Sequence, residues 1–363
     1  MDPRIREHAE IIVDHSTGVE PGDNVIISTP TVARDLGIAL HEAVGDRGAT
    51  PVYLSSDDQA QRAYLRAVEI DDLQTPTHLQ ALYEESDVLI RVRAQTNATE
   101  QSDVTPAIQA EQSRVSQPVQ EVALSKRWCL TQFPATGNAQ LAEMSLEAYE
   151  NFVWDAINKD WDAQQAHQEQ MVEILDPAEE VRIVSEPSTD ITLSVDGMIT
   201  INDFGEKNLP GGEVFTAPVI DSVNGEVLFD KPLYYQGREV TGVHLVFEDG
   251  EVTDHAADKN AEVLSEVLDT DPGARRLGEL GIGMNRDIDR FTYNMLYDEK
   301  MGDTVHMALG RAYEDTVGEG RTVNESAVHV DMIVDMAVNS YIEVDGDVVQ
   351  RNGTFKFEDD FSA

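Results

Sequence analysis

The spacing of apolar residues changes character partway along the chain, and that change restricts the fold more than any other feature. Before Pro177, short apolar runs alternate with segments of helical period. Asp2-Pro3 reads as an N-cap followed by proline at the first helical position, and Ile5, Ala9, Ile12 and Val13 continue it as an apolar stripe. Gly18 and the Pro21-Gly22 turn end that helix. Strands are predicted over 25–29, 52–55, 88–92 and 129–133, with helices over 32–45, 58–68, 78–85 and 108–125. Buried strands separated by helices predict an α/β unit with a parallel, doubly wound sheet. A helical stretch over 146–175 follows, in which Trp154, Trp161 and Met171 read as packing residues.

Beyond Pro177 the period becomes two. Strands are predicted over 191–195, 198–201, 227–229, 243–247, 252–256, 341–344 and 348–351, with Asp249-Gly250 and Asp345-Gly346 as hairpin turns. A helix over 259–268 interrupts them. This half reads as an α+β domain rich in antiparallel strands. For 363 residues two domains are expected. The predicted division is 1–178, an α/β domain walling a cleft, and 179–363, an α+β domain that carries the chemistry.

Charge narrows the class of partner. The chain has 69 Asp and Glu against 26 Lys and Arg, a formal net charge of -43. The excess is spread over both halves in short clusters, so it is not a disordered acidic tail. Such a surface repels nucleic acid and anionic membranes. Evenly spread carboxylates with few lysines predict a surface adapted to high salt, where screening removes the self-repulsion. The single cysteine, Cys129, rules out an intramolecular disulfide and reads as a buried small apolar residue. The N-terminal residues lack an apolar secretory core, and nowhere do 18 apolar residues run together. The expectation is a soluble, cytoplasmic protein of a halophilic cell.

Common catalytic motifs are missing. The sequence has no Gly-x-Ser-x-Gly elbow, no Walker loop and no His-Glu-x-x-His. His41-Glu42 begins the last pattern, but Gly45 stands where the second histidine belongs, so a surface role is expected. Gly278-x-x-Gly281-x-Gly283 reads as turns and close backbone approach. Two histidines differ from the rest. His329-Val330-Asp331 puts imidazole and carboxylate at i and i+2 of an apolar run, on one strand face. His306 lies in the apolar segment 304–310. A buried, hydrogen-bonded histidine is the plain alternative for either one. Together they suit zinc, cobalt or manganese, and a two-metal site needs further ligands including a bridge. Carboxylates in apolar, glycine-bounded surroundings are the candidates, because a lone charge there is costly. Glu213 and Glu279 stand in such surroundings.

At these residues the chain resembles the metallo-aminopeptidase family of aminopeptidases T and S. The resemblance lies in Gly-Glu-Val-Phe-Thr-Ala-Pro ending at Pro218 and Leu-Gly-Glu-Leu-Gly-Ile-Gly-Met-Asn ending at Asn285. It continues through Asp298-Glu299-Lys300, through 304–310 with Tyr313, and through Asn324-Glu325-Ser326-Ala327-Val328-His329-Val330-Asp331. The order and spacing hold through most of the second half, and the first half matches less specifically. The resemblance implies two divalent metals, zinc or cobalt with manganese a further candidate, held by Glu213, Glu279, His306, His329 and Asp331. It implies Tyr313 as an active-site tyrosine, peptide substrates with a free N-terminus, and a homodimer enclosing the cleft. Glu279 is the first choice for proton shuttling, and Tyr313 for a hydrogen bond to the oxyanion. Two positions depart from the family pattern: Val330 stands in place of an aromatic residue and Asp303 in place of glycine. A non-catalytic metal- or peptide-binding relative, and a metal-dependent amidase of non-peptide substrates, are the rival readings.

Overall fold

The computed structural model describes residues 1–235 and 237–362. They form two compact units: Met1–Lys159 with Gly205–Gly211, and Asp160–Phe204 with the chain from Gly212 onward. The division therefore falls about one helix earlier than the expected position near Pro177. The expected single helix over 146–175 is two helices, Leu146–Ile157 and Trp161–Leu175, broken at Asn158-Lys159-Asp160. Asp160 caps the second by accepting a hydrogen bond from the Ala163 amide. Met171 and Leu175 of that helix join the core of the second unit. None of the helices among the described residues is long and apolar enough to cross a membrane.

The first unit is built on parallel strands β1 (Asn24–Pro30), β2 (Thr50–Ser56), β3 (Val88–Arg93) and β4 (Arg127–Gln132), ordered β2-β1-β3-β4, with the short strand Asn208–Leu209 added to β4. In β1, β3 and β4 side chains alternate between two largely buried faces, which is why these strands read as continuous apolar runs, whereas the edge strand β2 is mostly exposed. Ile26 and Leu89 pack against Tyr83, Val119 and Ala123 of the helices Thr77–Glu84 and Pro106–Leu124. Ile27, Ile90 and Cys129, offset by one residue and paired in register, are fully buried on the other face.

The second unit contains an eight-stranded antiparallel sheet. Its order is Glu251–Ala256, Val243–Glu248, Asn224–Phe229, Thr189–Ser194, Glu180–Ser185, Ser340–Val344, Asp347–Arg351, Thr354–Phe355. A five-stranded sheet holds β5 (Ile201–Asp203), β6 (Glu213–Thr216), β7 (Leu277–Gly283), β8 (Thr304–Gly310) and β9 (His329–Asp335), ordered β9-β8-β7-β6-β5, all antiparallel. The strand expected over 198–201 does not form. The chain turns at Gly197, whose φ is +67°, and pairing starts at Ile201. One apolar core joins the two sheets, with Ile183, Leu193, Phe229 and Leu245 from the larger and Val214, Leu280, Ile282, Val305, Met307, Val330 and Val334 from the smaller. Because side chains alternate along a strand, the smaller sheet is left with an opposite face formed by the intervening residues. That face carries the candidate site.

Candidate metal centre

Four strands place the expected ligands on this one face. Residues directly opposite each other in an antiparallel pair project to the same side. Ala308 on β8 lies opposite both Glu279 on β7 and Asp331 on β9. One row along, Gly281 lies opposite His306 and Phe215, and one row further Gly283 lies opposite Glu213 and Thr304. The middle of the face is thus glycine, glycine and alanine, which leaves room for the larger polar side chains to converge. A Cβ on Gly281 would stand 2.0 Å from His306 Nε2. The glycines expected to form turns sit in an extended strand buried along its whole length. Close approach is their role, and the turn expectation is incorrect.

The five expected ligands meet. His306 Nε2 lies 3.1 Å from Glu279 Oε1 and 3.2 Å from Glu213 Oε2. His329 Nε2 lies 3.4 Å from Asp331 Oδ1 and 3.8 Å from Glu279 Oε2. Glu279 therefore faces both imidazoles, one oxygen to each. Glu213, Glu279 and His306 form one group of potential ligand atoms, and Glu279, His329 and Asp331 a second, each spanning no more than 4.8 Å. His329 Nδ1 donates to the Arg311 carbonyl at 2.8 Å, which turns Nε2 toward the Asp331 and Glu279 carboxylates.

The electrostatics follow from burial. Burial opposes charge on His306, yet its hydrogen bond to Glu279 and the charges of Glu213, Glu279 and Asp331 raise it to about 9. His329 is likewise disfavoured by burial but is raised to about 10, chiefly by Asp331. Burial pushes the Glu279 carboxyl up. Asp331 is opposed by burial as well, but the charge of His329 holds it below its ordinary range.

Whether a cation suits this arrangement is tested by the atoms left over. Glu213 Oε2, Glu279 Oε2 and Asp331 Oδ1 are buried and accept no hydrogen bond. Buried acceptors without partners are costly, and all three lie in the two ligand groups. A mixed imidazole and carboxylate set of this kind suits zinc, cobalt or manganese. The residues fit a pair of divalent ions.

The polar groups just behind the ligands were not foreseen. Lys300 is completely buried, and its Nζ lies 3.0 Å from Glu213 Oε1 and 3.8 Å from Asp203 Oδ2, with Glu299 Oε1 in direct contact. Asp298-Glu299-Lys300 looks like a solvated charge triplet. Its apolar flanks, Met295-Leu296-Tyr297 and Met301, and its place among the blocks that resemble the metallo-aminopeptidase family were the signals that it lies inside. Buried Asp298 accepts hydrogen bonds from Thr292 N and Oγ1 and from Asn294 N, which fixes the loop before Lys300. Asn285 N then bonds the Lys300 carbonyl. Gln168, also fully buried, donates to the carbonyls of Asp203 and Glu213 and ties β5 and β6 to the Trp161–Leu175 helix.

Tyr313 stands at the rim, half exposed, with its ring 5.0 Å from that of His329 and 6.1 Å from that of Phe215. The two departures from the family pattern lie off the ligand face. Val330 packs into the core between the sheets. Asp303 has φ +62°, the left-handed region that favours glycine, and its carboxylate pairs with Arg286 at 2.6 Å. His41 bonds the Gly37 carbonyl within its own helix and takes no part in the site.

Known proteins resemble the chain over nearly its full length. It is 28% identical to Aminopeptidase 2 of Geobacillus stearothermophilus, an alignment covering 98% of each chain. A stretch of 160 residues, 40% of this chain and 37% of the other, is 38% identical to Aminopeptidase T of Thermus aquaticus. The solved structure of AmpT from Thermus thermophilus shares the fold, with a TM-score of 0.87 at 24% identity over 98% of this chain and 99% of that one. A family model described as thermophilic metalloprotease (M29) matches residues 1–355, and the chain belongs to that family.

Proposed function

We propose that the protein is a metal-dependent aminopeptidase that removes N-terminal residues from peptides with a free α-amino group. The observation that carries the reading is the Glu279 carboxylate. It is shared between two imidazole–carboxylate groups in which Glu213 Oε2, Glu279 Oε2 and Asp331 Oδ1 are buried without a hydrogen-bond partner. Glu213, Glu279 and His306 would hold one divalent ion and Glu279, His329 and Asp331 the other, zinc or cobalt with manganese a further candidate. When bound, such a pair acidifies a water molecule, polarises the scissile carbonyl and can take up the α-amino group. Glu279, facing both imidazoles, is assigned the transfer of the water proton to the leaving amine. Tyr313 keeps its phenolic proton at neutral pH, as tyrosines ordinarily do, and can donate it in a hydrogen bond to the oxyanion. Phe215 lies beside Gly281 on the same face and, with Tyr313, offers an aromatic wall to the substrate. The same reading takes the protein to act as a homodimer in a cytoplasm of high salt.

The test is an assay in molar KCl on aminoacyl anilides with free and with blocked amino groups. It is run after chelation and after adding back zinc, cobalt or manganese. Activity is expected to vanish on chelation, to return with metal and to require the free amine. Glu279→Ala and His306→Ala are expected to lose it. Full activity in the stripped protein and both variants would show the metal reading to be wrong. Equal turnover of blocked substrates would point instead to an amidase, and no turnover under any condition to a binding protein.

A further inference from the structure

Lys300 is fully buried, and the side chains it contacts include one of the proposed metal ligands. A lysine inside a protein requires paired charges, and most such pairs could be replaced by apolar packing. Here the pairing is unequal in a way that replacement would upset. Nζ takes Oε1 of Glu213 at 3.0 Å, while Oε2 of the same carboxylate is turned to His306 Nε2 at 3.2 Å. The ammonium thus occupies one oxygen of Glu213 and aims the other at the first ligand group. His329 and Asp331, by contrast, are oriented by the Arg311 carbonyl and by each other.

Charge counting reaches the same residue independently. Asp203, Glu213, Glu279, Glu299 and Asp331 gather around the site. Two divalent cations neutralise four of these five carboxylates, and one further positive charge is needed among side chains that are largely shielded from water. The Lys300 ammonium supplies it.

We propose that Lys300 is a positioning residue for the Glu213–Glu279–His306 metal: it pins Glu213 through Oε1, presents Oε2 as the ligand, and completes the charge balance of the loaded centre. This rests on the metal-centre reading given above. It also makes the two metals unequal, since loss of Lys300 releases the ion held with Glu213 and spares the ion held by His329 and Asp331.

The experiment is cobalt(II) titration of the metal-free protein in molar KCl. It is followed by the visible spectrum, and the bound cobalt per chain is counted after gel filtration. Wild type is expected to take up two ions. Lys300→Met is expected to retain one tightly held ion and to weaken the other about 10- to 100-fold, the loss typical when a group behind a metal ligand is removed. Glu213→Gln should weaken the same ion, and combining the two substitutions should add little, because both remove one interaction. A purely structural lysine would instead lower the melting temperature, leave both cobalt affinities unchanged, and give additive effects. If Lys300→Met does not fold, Lys300→Met with Asp203→Asn removes one charge of each sign and takes its place. Two ions bound with wild-type affinity and spectrum in a folded variant would overturn the assignment. Wild type that takes up no cobalt would instead remove the metal-centre reading beneath it.

Discussion

Gly281 shows how one missing side chain can shape the site. His306 lies over it so closely that a methyl group would overlap the imidazole. A shift of about 1 Å in a reacting or ligating group can cost on the order of 100-fold in rate. Gly281→Ala is therefore expected to cut aminopeptidase activity about 100-fold and to weaken cobalt binding, while the sheet still forms because alanine tolerates an extended backbone. Wild-type cobalt affinity in the Gly281→Ala variant would mean that the imidazole does not lie there. The glycine's meaning was hidden in the sequence, where a glycine run is equally a set of turns. His329 and Asp331 were legible because an i, i+2 pair in an apolar strand has one geometric meaning. Lys300 was not, since a charged residue next to Glu299 reads as surface until the loop from Asn285 is seen to close over it. A glutamate's ligand role was readable only where glycines and apolar residues bounded it, as at Glu213 and Glu279.

At the scale of elements, apolar period located most helices and strands to within a few residues, and its errors share a cause. Period records which residues are buried and says nothing about what they are buried against. The helices Leu146–Ile157 and Trp161–Leu175 read as one because both are amphipathic and separated only by Asn158-Lys159-Asp160. The Asp160 cap is what separates them in chemical terms. Asp160→Ala should cost about 1 kcal/mol of stability, measured by urea unfolding, and an unchanged midpoint would mean the cap contributes nothing. The first helix offers a pH test of how firmly it is held. His8 on Pro3–Glu10 is completely buried, with Nε2 2.8 Å from Thr131 Oγ1 and its ring edge-on to Trp154. Burial lowers its pKa from 6.5 to about 3. Between those values the unfolded chain binds the proton and the folded one does not, so stability is full above pH 6.5 and declines as pH falls toward 3. The loss attributable to His8 reaches about 5 kcal/mol at the acid end. His8→Asn should flatten that part of the stability–pH curve, and a curve that superimposes on wild type would show that His8 is not buried in neutral form.

For the whole molecule, the question is what a net charge of -43 does to a fold whose chemistry uses only a handful of those carboxylates. Many of the scarce cations are already committed, as in Arg47 with Glu10 and Asp14, Arg62 with Asp103, and Arg182 with Asp190. Pairing cannot offset the rest, because the bases number 26 against 69 acids. Each close pair of unpaired carboxylates repels by about 1 kcal/mol in water at 4 Å. Salt decides how far that repulsion reaches, about 10 Å at 0.1 M and about 3 Å at 1 M. Compacting the chain brings these charges together, so repulsion acts against the folded state more than the extended one. The melting temperature is accordingly expected to rise steeply between about 0.1 M and molar KCl, while sucrose at matched osmolality, which screens nothing, gives a smaller rise. Equal effects of the two solutes would mean that general exclusion from the surface acts rather than screening. A melting temperature independent of KCl would remove the high-salt reading altogether. The centre itself gives a contrast. Its five carboxylates lie largely shielded from water and are balanced in the proposal by metal and Lys300, so screening should not replace what they lose on chelation. The stripped protein should remain less stable than the loaded one at every salt concentration, with the difference set by metal concentration.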